Sequence, residues 1–137
     1  MKQNIRKFGV ESLCVLLVVQ LSGCNSATGI KPSQATTSQF LQEMQGQQFS
    51  GAYSLLSSKF KSTITQQQLK DHWESVEKSK GKLQSWSQQG FQTYSGTGGS
   101  SVKLSYALQC AKGAAGITFS CVEENNKWLI QGFNINF

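Results

Sequence analysis

Apolar side chains recur at helical spacing through the first half of the chain and at every second position through the second half. Phe40, Leu41 and Met44, then Ala52, Tyr53, Leu55 and Leu56 beyond the Gln45-Gly46-Gln47-Gln48 break, predict two short helices. A third is expected to open at Thr65, whose hydroxyl can cap the first turn while Gln68 reaches back as the reciprocal partner. Its apolar stripe is Leu69, His72, Trp73 and Val76, and it should stop near Gly81.

From Leu83 the period becomes two and four strands are predicted. Val102, Leu104, Tyr106, Leu108 and Cys110 alternate with Lys103, Ser105, Ala107 and Gln109, which gives one buried and one wet face. Ile117, Phe119 and Cys121 alternate with Thr118 and Ser120 in the same way. The last strand carries Leu129, Phe133, Ile135 and Phe137 on one face and Trp128 and Ile130 on the other, so its start should be covered on both sides. The expected connections are Gly96-Thr97-Gly98-Gly99, Lys112 to Gly116, and Asn125-Asn126, all rich in residues that tolerate positive φ. In the first strand Trp86 and Phe91 are five apart and would face opposite sides of a regular strand. Either a bulge at the intervening Gly90 returns both to the core face, or one of them sits at an edge. Helices first and an antiparallel meander after them make an α+β domain, with the helices packed on one face of a curved sheet.

The N-terminal residues have a different character. Lys2, Arg6 and Lys7 precede an apolar run from Leu13 that ends in Leu21-Ser22-Gly23-Cys24. The run is too short to span a bilayer, which needs roughly 20 apolar residues. Its layout is that of a secretory signal, and the final tetrapeptide resembles the lipobox of a bacterial lipoprotein precursor. A plain secretory signal cut elsewhere is the alternative. The resemblance implies cleavage before Cys24, acylation of that cysteine, and attachment to the membrane through the acyl chains. Because Asn25 is not aspartate, it also implies the outer membrane where a cell has two. The organisation expected is a signal over residues 1–23, an acylated cysteine and flexible tether over 24–38, and a folded domain over 39–137. The tether is assigned from its small polar residues, Ile30 being its one large apolar side chain.

Losing residues 1–23 lowers the formal charge from +6 to +4, ten lysines against six acids, with no arginine left. The nearest approach to a basic patch is Lys78, Lys80 and Lys82 beside Glu74 and Glu77, a pattern that suits the C-terminal end of a helix dipole. Nucleic acid is therefore not an expected partner.

Four segments carry a second resemblance: Phe49-x-x-Ala52-Tyr53-x-Leu55-Leu56-x-x-x-Phe60, Thr65-x-x-x-Leu69-x-x-x-Trp73, Gly81-x-x-x-x-Trp86, and Lys127-Trp128-x-Ile130-x-Gly132-Phe133. Together they look like small secreted members of the cystatin-like, nuclear-transport-factor-like superfamily, which includes SnoaL-like domains. The likeness covers about residues 37–137 and implies a cone-shaped α+β fold. Its motifs are packing and turn residues, so they speak to fold and hardly to chemistry.

Of four cysteines, Cys14 would leave with the signal and Cys24 would be consumed by the anchor. Cys110 and Cys121 share a face of adjacent strands, and a hairpin closing near Ala115-Gly116 would set them nearly opposite. A disulfide is expected in an oxidising compartment, two buried thiols being the alternative.

Candidate chemistry is sparse. His72 is the one imidazole, and related enzymes of the superfamily place an Asp or His inside the cone to move a proton; Asp71 lies about 100° round the helix and cannot orient it. Glu123 and Glu124 alternate faces and make a poor carboxylate pair. One histidine and two cysteines offer too few ligands for a metal, and no cofactor motif is present. His72, Trp73, Trp86, Tyr106, Phe119 and Trp128 are the side chains that could line a pocket between helix and sheet, and the simpler expectation is that they close the core. The reading is a lipid-anchored, non-enzymatic envelope protein whose small domain binds a protein or small ligand. An isomerase or dehydratase using His72 and a sheet-to-sheet homodimer are the alternatives.

Overall fold

The structure, a computed structural model, describes residues 29–137. Expectations for the signal and for Cys24 lie outside them. Four helices, α1 (Ile30–Gln45), α2 (Phe49–Ser54), α3 (Ser58–Lys61) and α4 (Gln66–Lys80), precede four strands, β1 (Leu83–Gly96), β2 (Gly99–Cys110), β3 (Gly113–Glu124) and β4 (Lys127–Asn136). The strands form one antiparallel sheet in the order β1-β2-β3-β4. This is the predicted α+β architecture, helices covering one face of a curved antiparallel meander.

Helix α1 corrects the domain boundary. It begins at Ile30, so residues 30–38 are helix and not tether. Composition misleads here because the buried positions of its first half are Ser33 and Thr37, small hydroxyl-bearing residues that let the helix backbone approach the sheet. Thr37 Oγ1 donates to the Ser33 carbonyl at 2.8 Å, which satisfies it inside the helix. Farther along, Phe40, Leu41 and Met44 carry the apolar stripe and are fully buried. Thr36 fastens the helix to the sheet by donating to the Trp128 carbonyl at 2.8 Å.

The Thr65 prediction holds in detail. Thr65 Oγ1 accepts from Gln68 N at 3.1 Å and Gln68 Oε1 accepts from Thr65 N at 2.8 Å, a complete capping box. Leu69, Trp73 and Val76 are its buried positions. The helix ends at Gly81, whose φ of 78° few other residues adopt readily. A Cβ there would also sit 2.9 Å from the Ala111 side chain, because the β2–β3 turn folds back onto the helix end. Ala111 N donates to the Lys82 carbonyl and Lys112 N to the Lys80 carbonyl.

Two bulges decide which way the aromatic residues face. In β1 the register slips between Gln88 and Gly90, so Trp86 pairs with Leu108 and Phe91 with Leu104, both on the core side of β2. The expected bulge is there, yet Phe91 remains 54% exposed because the strand runs on past the helices. A second bulge, at Gln131, has no counterpart in the sequence reading. Ile130 pairs with Cys121 and Phe133 with Phe119, so Trp128, Ile130, Phe133 and Ile135 all turn inward, correcting the two-faced reading of β4. Leu129 pairs with Val122 on the outer face.

The β2–β3 turn also differs from expectation. It occupies Ala111 and Lys112, and Gly113 to Gly116 are already strand, paired with Cys110 to Ala107. The small residues that read as a loop are the start of β3. Asn125 and Asn126 form the β3–β4 turn as predicted, with φ of 53° and 60°, the left-handed pair that matches hairpin twist.

Candidate functional site

Among the described residues, aromatic side chains pack into the space a cone would leave open. Phe40 of α1 meets Phe119 edge to face at 5.5 Å, and Tyr106 meets Phe119 likewise at 5.9 Å. Phe133 closes the side toward the short helices, 5.5 Å from Phe40, 5.8 Å from Phe60 and 6.1 Å from Phe119. Beneath α1 the Tyr106 hydroxyl lies 2.8 Å from Thr37 Oγ1. Thr37 spends its single proton on the Ser33 carbonyl, so Tyr106 is the donor of that bond.

The six aromatic and histidine positions singled out from sequence do not converge on one cavity. Trp73, Tyr106, Phe119 and Trp128 belong to the buried core, Trp86 packs against it half-buried, and His72 is exposed. The His72 ring lies 6.1 Å from Phe133, against the outside of the aromatic cluster and not within it. A proton-moving imidazole enclosed by the sheet is therefore not what the fold presents. The stripe reading of α4 fails at this one position because Phe133 already fills the place that His72 would enter.

The cysteine pair is corrected more sharply. Because the turn is at Ala111-Lys112, Cys110 faces Gly113, while Cys121 faces Val102 eight residues farther along β2. At about 3.3 Å per residue the two are separated by roughly 26 Å of strand, far beyond the reach of a disulfide. Both are buried free thiols. Burial raises the Cys110 thiol, helped by the Glu77 carboxylate and opposed by Lys80. Burial pushes Cys121 up to about 12, with the Ser33 hydroxyl acting in the opposite direction. Neither has the exposed, cationic setting of a reactive cysteine.

Glu124 is occupied structurally: its carboxylate accepts from the Ser58 backbone N at 3.0 Å and from the Ser58 hydroxyl, bonds that hold its carboxyl below the usual range. Glu123 is exposed on the neighbouring position. No group of three or more His, Cys, Asp or Glu side chains suited to a metal occurs among the described residues.

Sequence reasoning missed a pair of unpartnered buried atoms and two clefts. Trp73 Nε1 and Glu77 Oε1, one helical turn apart on α4, are both buried without a hydrogen-bond partner. Glu77 could have been found by its i, i+4 spacing from Trp73, although the Lys-rich context reads as solvated. One cleft, of about 540 Å³, lies between the starts of α2 and α4, lined by Gln47, Gln48, Phe49, Ser50, Gln66, Gln67 and Lys70. A second cleft, of about 310 Å³, follows the β4 bulge and is lined by Lys59, Phe60, Thr63, Ser120, Gln131 and Gly132. Neither takes a wall from the six residues named above. Both are open clefts lined mostly by neutral side chains.

No protein-family model matches the chain, and no curated protein matches it in sequence. Among solved structures, Aln2 from a Streptomyces species is similar, with a TM-score of 0.57 at 11% identity over 83% of this chain and 93% of that one. At that identity the likeness concerns the fold, which the two proteins share.

Proposed function

We propose that the protein is an acylated envelope lipoprotein whose small domain serves as a non-enzymatic binding or accessory module. The observation that carries this reading is the N-terminal order of basic residues, apolar run and Leu21-Ser22-Gly23-Cys24. Acyl chains on Cys24 supply the membrane affinity, each buried methylene contributing about 0.8 kcal/mol. Asn25 directs the anchored protein to the outer membrane in a cell that has two. The filled interior supports the non-enzymatic half of the reading. With Phe119, Tyr106 and Phe133 packed over the sheet face, contacts to a partner fall on the outer surface, where the glutamine-lined cleft between α2 and α4 offers an open concavity of about 540 Å³.

The test is incorporation of a labelled fatty acid together with detergent-phase partitioning. The native protein should take up label and enter the detergent phase, and Cys24→Ser should do neither. Equal behaviour of the two would overturn the anchor.

A further inference from the structure

We propose that the anchored domain stands on the lipid surface with the β1–β2 and β3–β4 turns facing the headgroups and the β2–β3 turn farthest from them. This rests on acylation of Cys24, and it follows from where α1 begins.

Five peptide units separate Cys24 from Gly29, a reach of at most about 18 Å when fully extended. Gly29 is not free to swing. It lies under the Trp128 indole, and α1 starts at the next residue. Trp128 is the second residue of β4 and pairs with Glu123, one row from the Asn125-Asn126 turn. The β1–β2 turn is at the same end of the sheet: Gly98, Gly99 and Ser100 share a cleft of about 390 Å³ with Val122, Glu123, Asn125 and Asn126. The chain thus leaves the lipid and enters the domain at this end. The opposite end is the length of β2 away, Gly99 to Cys110, roughly 36 Å and about twice the tether's reach.

The end so placed suits a headgroup layer. From Thr93 to Ser101 the hairpin carries no charged residue. Tyr94 is 47% exposed, with Lys103 Nζ 5.3 Å above its ring, an amphipathic pair of the kind found at membrane interfaces. Lys31, at the start of α1, and Lys127, at the start of β4, lie toward the same end, their charges balanced by Glu123 and the Ser58-bound Glu124. The far end competes on charge. The turn at Ala111-Lys112 is bonded to the backbone of Lys80 and Lys82 and gathers Lys80, Lys82 and Lys112 at one corner, which anionic lipid would attract. The short tether opposes that attraction and holds the lysine corner away from the membrane.

Site-specific quenching in vesicles carrying a headgroup-attached nitroxide lipid tests the orientation. The full acylated protein is labelled through Thr97→Cys or Lys112→Cys, both exposed turn positions, with the unsubstituted protein as the blank for Cys110 and Cys121. Quenching at position 97 should exceed that at 112 severalfold, and a long Gly-Ser insertion between residues 28 and 29 should remove the difference. Equal quenching without the insertion, or stronger quenching at 112, would overturn the orientation while leaving the anchor intact. A protein that carries no acyl mass and fails to float with the vesicles would overturn both.

Discussion

The Trp128 indole lies so close over Gly29 that a Cβ built on that glycine would sit 2.4 Å from Cζ2 and 2.6 Å from Cη2. Gly29 also has φ of 144°, a conformation other residues rarely adopt. Gly29→Ala should therefore cost about 2–3 kcal/mol, combining overpacking against a buried ring with backbone strain. Gly98→Ala in the β1–β2 turn meets nothing within 4 Å and should change stability by less than about 0.5 kcal/mol. Urea unfolding of the two variants checks the contrast, and equal effects would remove the close approach from the account.

The bond between Tyr106 and Thr37 predicts an asymmetry. Tyr106→Phe removes the donor and leaves Thr37 still bonded to Ser33, so it should cost about 1 kcal/mol. Thr37→Val preserves shape but strands a buried phenol hydroxyl without its acceptor, which should cost more, up to about 3 kcal/mol. The double variant should be less destabilised than the sum of the two. A Thr37→Val cost below that of Tyr106→Phe would reverse the assigned direction of the bond.

Cys121 gives a pH dependence. Its thiol is raised by burial from 9.0 to about 12 in the folded protein, so the unfolded chain releases that proton first. The associated stability is whole below about pH 9 and is lost as pH rises from there toward 12, by up to about 1.4 kcal/mol per pH unit. The stability difference between native protein and Cys121→Ala isolates this group from lysines and tyrosines. It should shift against the native protein between pH 9 and 11, and a constant difference would exclude the thiol as its source.

The β4 bulge predicts that deletions at two nearby positions of the strand diverge. Gln131→Ala keeps two residues opposite one and should leave folding nearly unchanged. Deleting Gln131 leaves Ile130 and Phe133 two apart, so Phe133 stays opposite Phe119 on the inner face at little cost, whereas deleting Asn134 sends Ile135 to the outer face and should cost about 2 kcal/mol of packing. Circular dichroism melts should place the Gln131 deletion near the native protein and the Asn134 deletion clearly below it, and equal losses would remove the bulge from the account.

Legibility from sequence follows the range of the interactions involved. The Thr65–Gln68 capping box, the Asn125-Asn126 turn and the alternation of β2 are set by neighbours within a few residues, and the chain spells them directly. The first half of α1 is set by contact with Trp128 and Tyr106, residues 69 and more positions away, and its small hydroxyl side chains look like a linker until the sheet is beneath them. The β2–β3 turn is misread for a related reason: Gly113 to Gly116 resemble a loop, but backbone bonds from Ala111 and Lys112 to the end of α4 fix the reversal earlier. That shift of a few residues is enough to dissolve the expected disulfide. Of the candidate site, the aromatic residues are legible as core, while the polar clefts escape because glutamines at helix starts carry no distinctive spacing.

The central claim is that a filled α+β domain hangs from an acylated Cys24, and the most direct test is the intact mass of the protein extracted from membranes of cells expressing the full chain. The account predicts a chain that begins at Cys24 and is heavier than its sequence by the mass of its acyl groups, with Cys110 and Cys121 both alkylated after denaturation without reductant. A chain beginning elsewhere, or one carrying Cys24 as an unmodified residue, would contradict it.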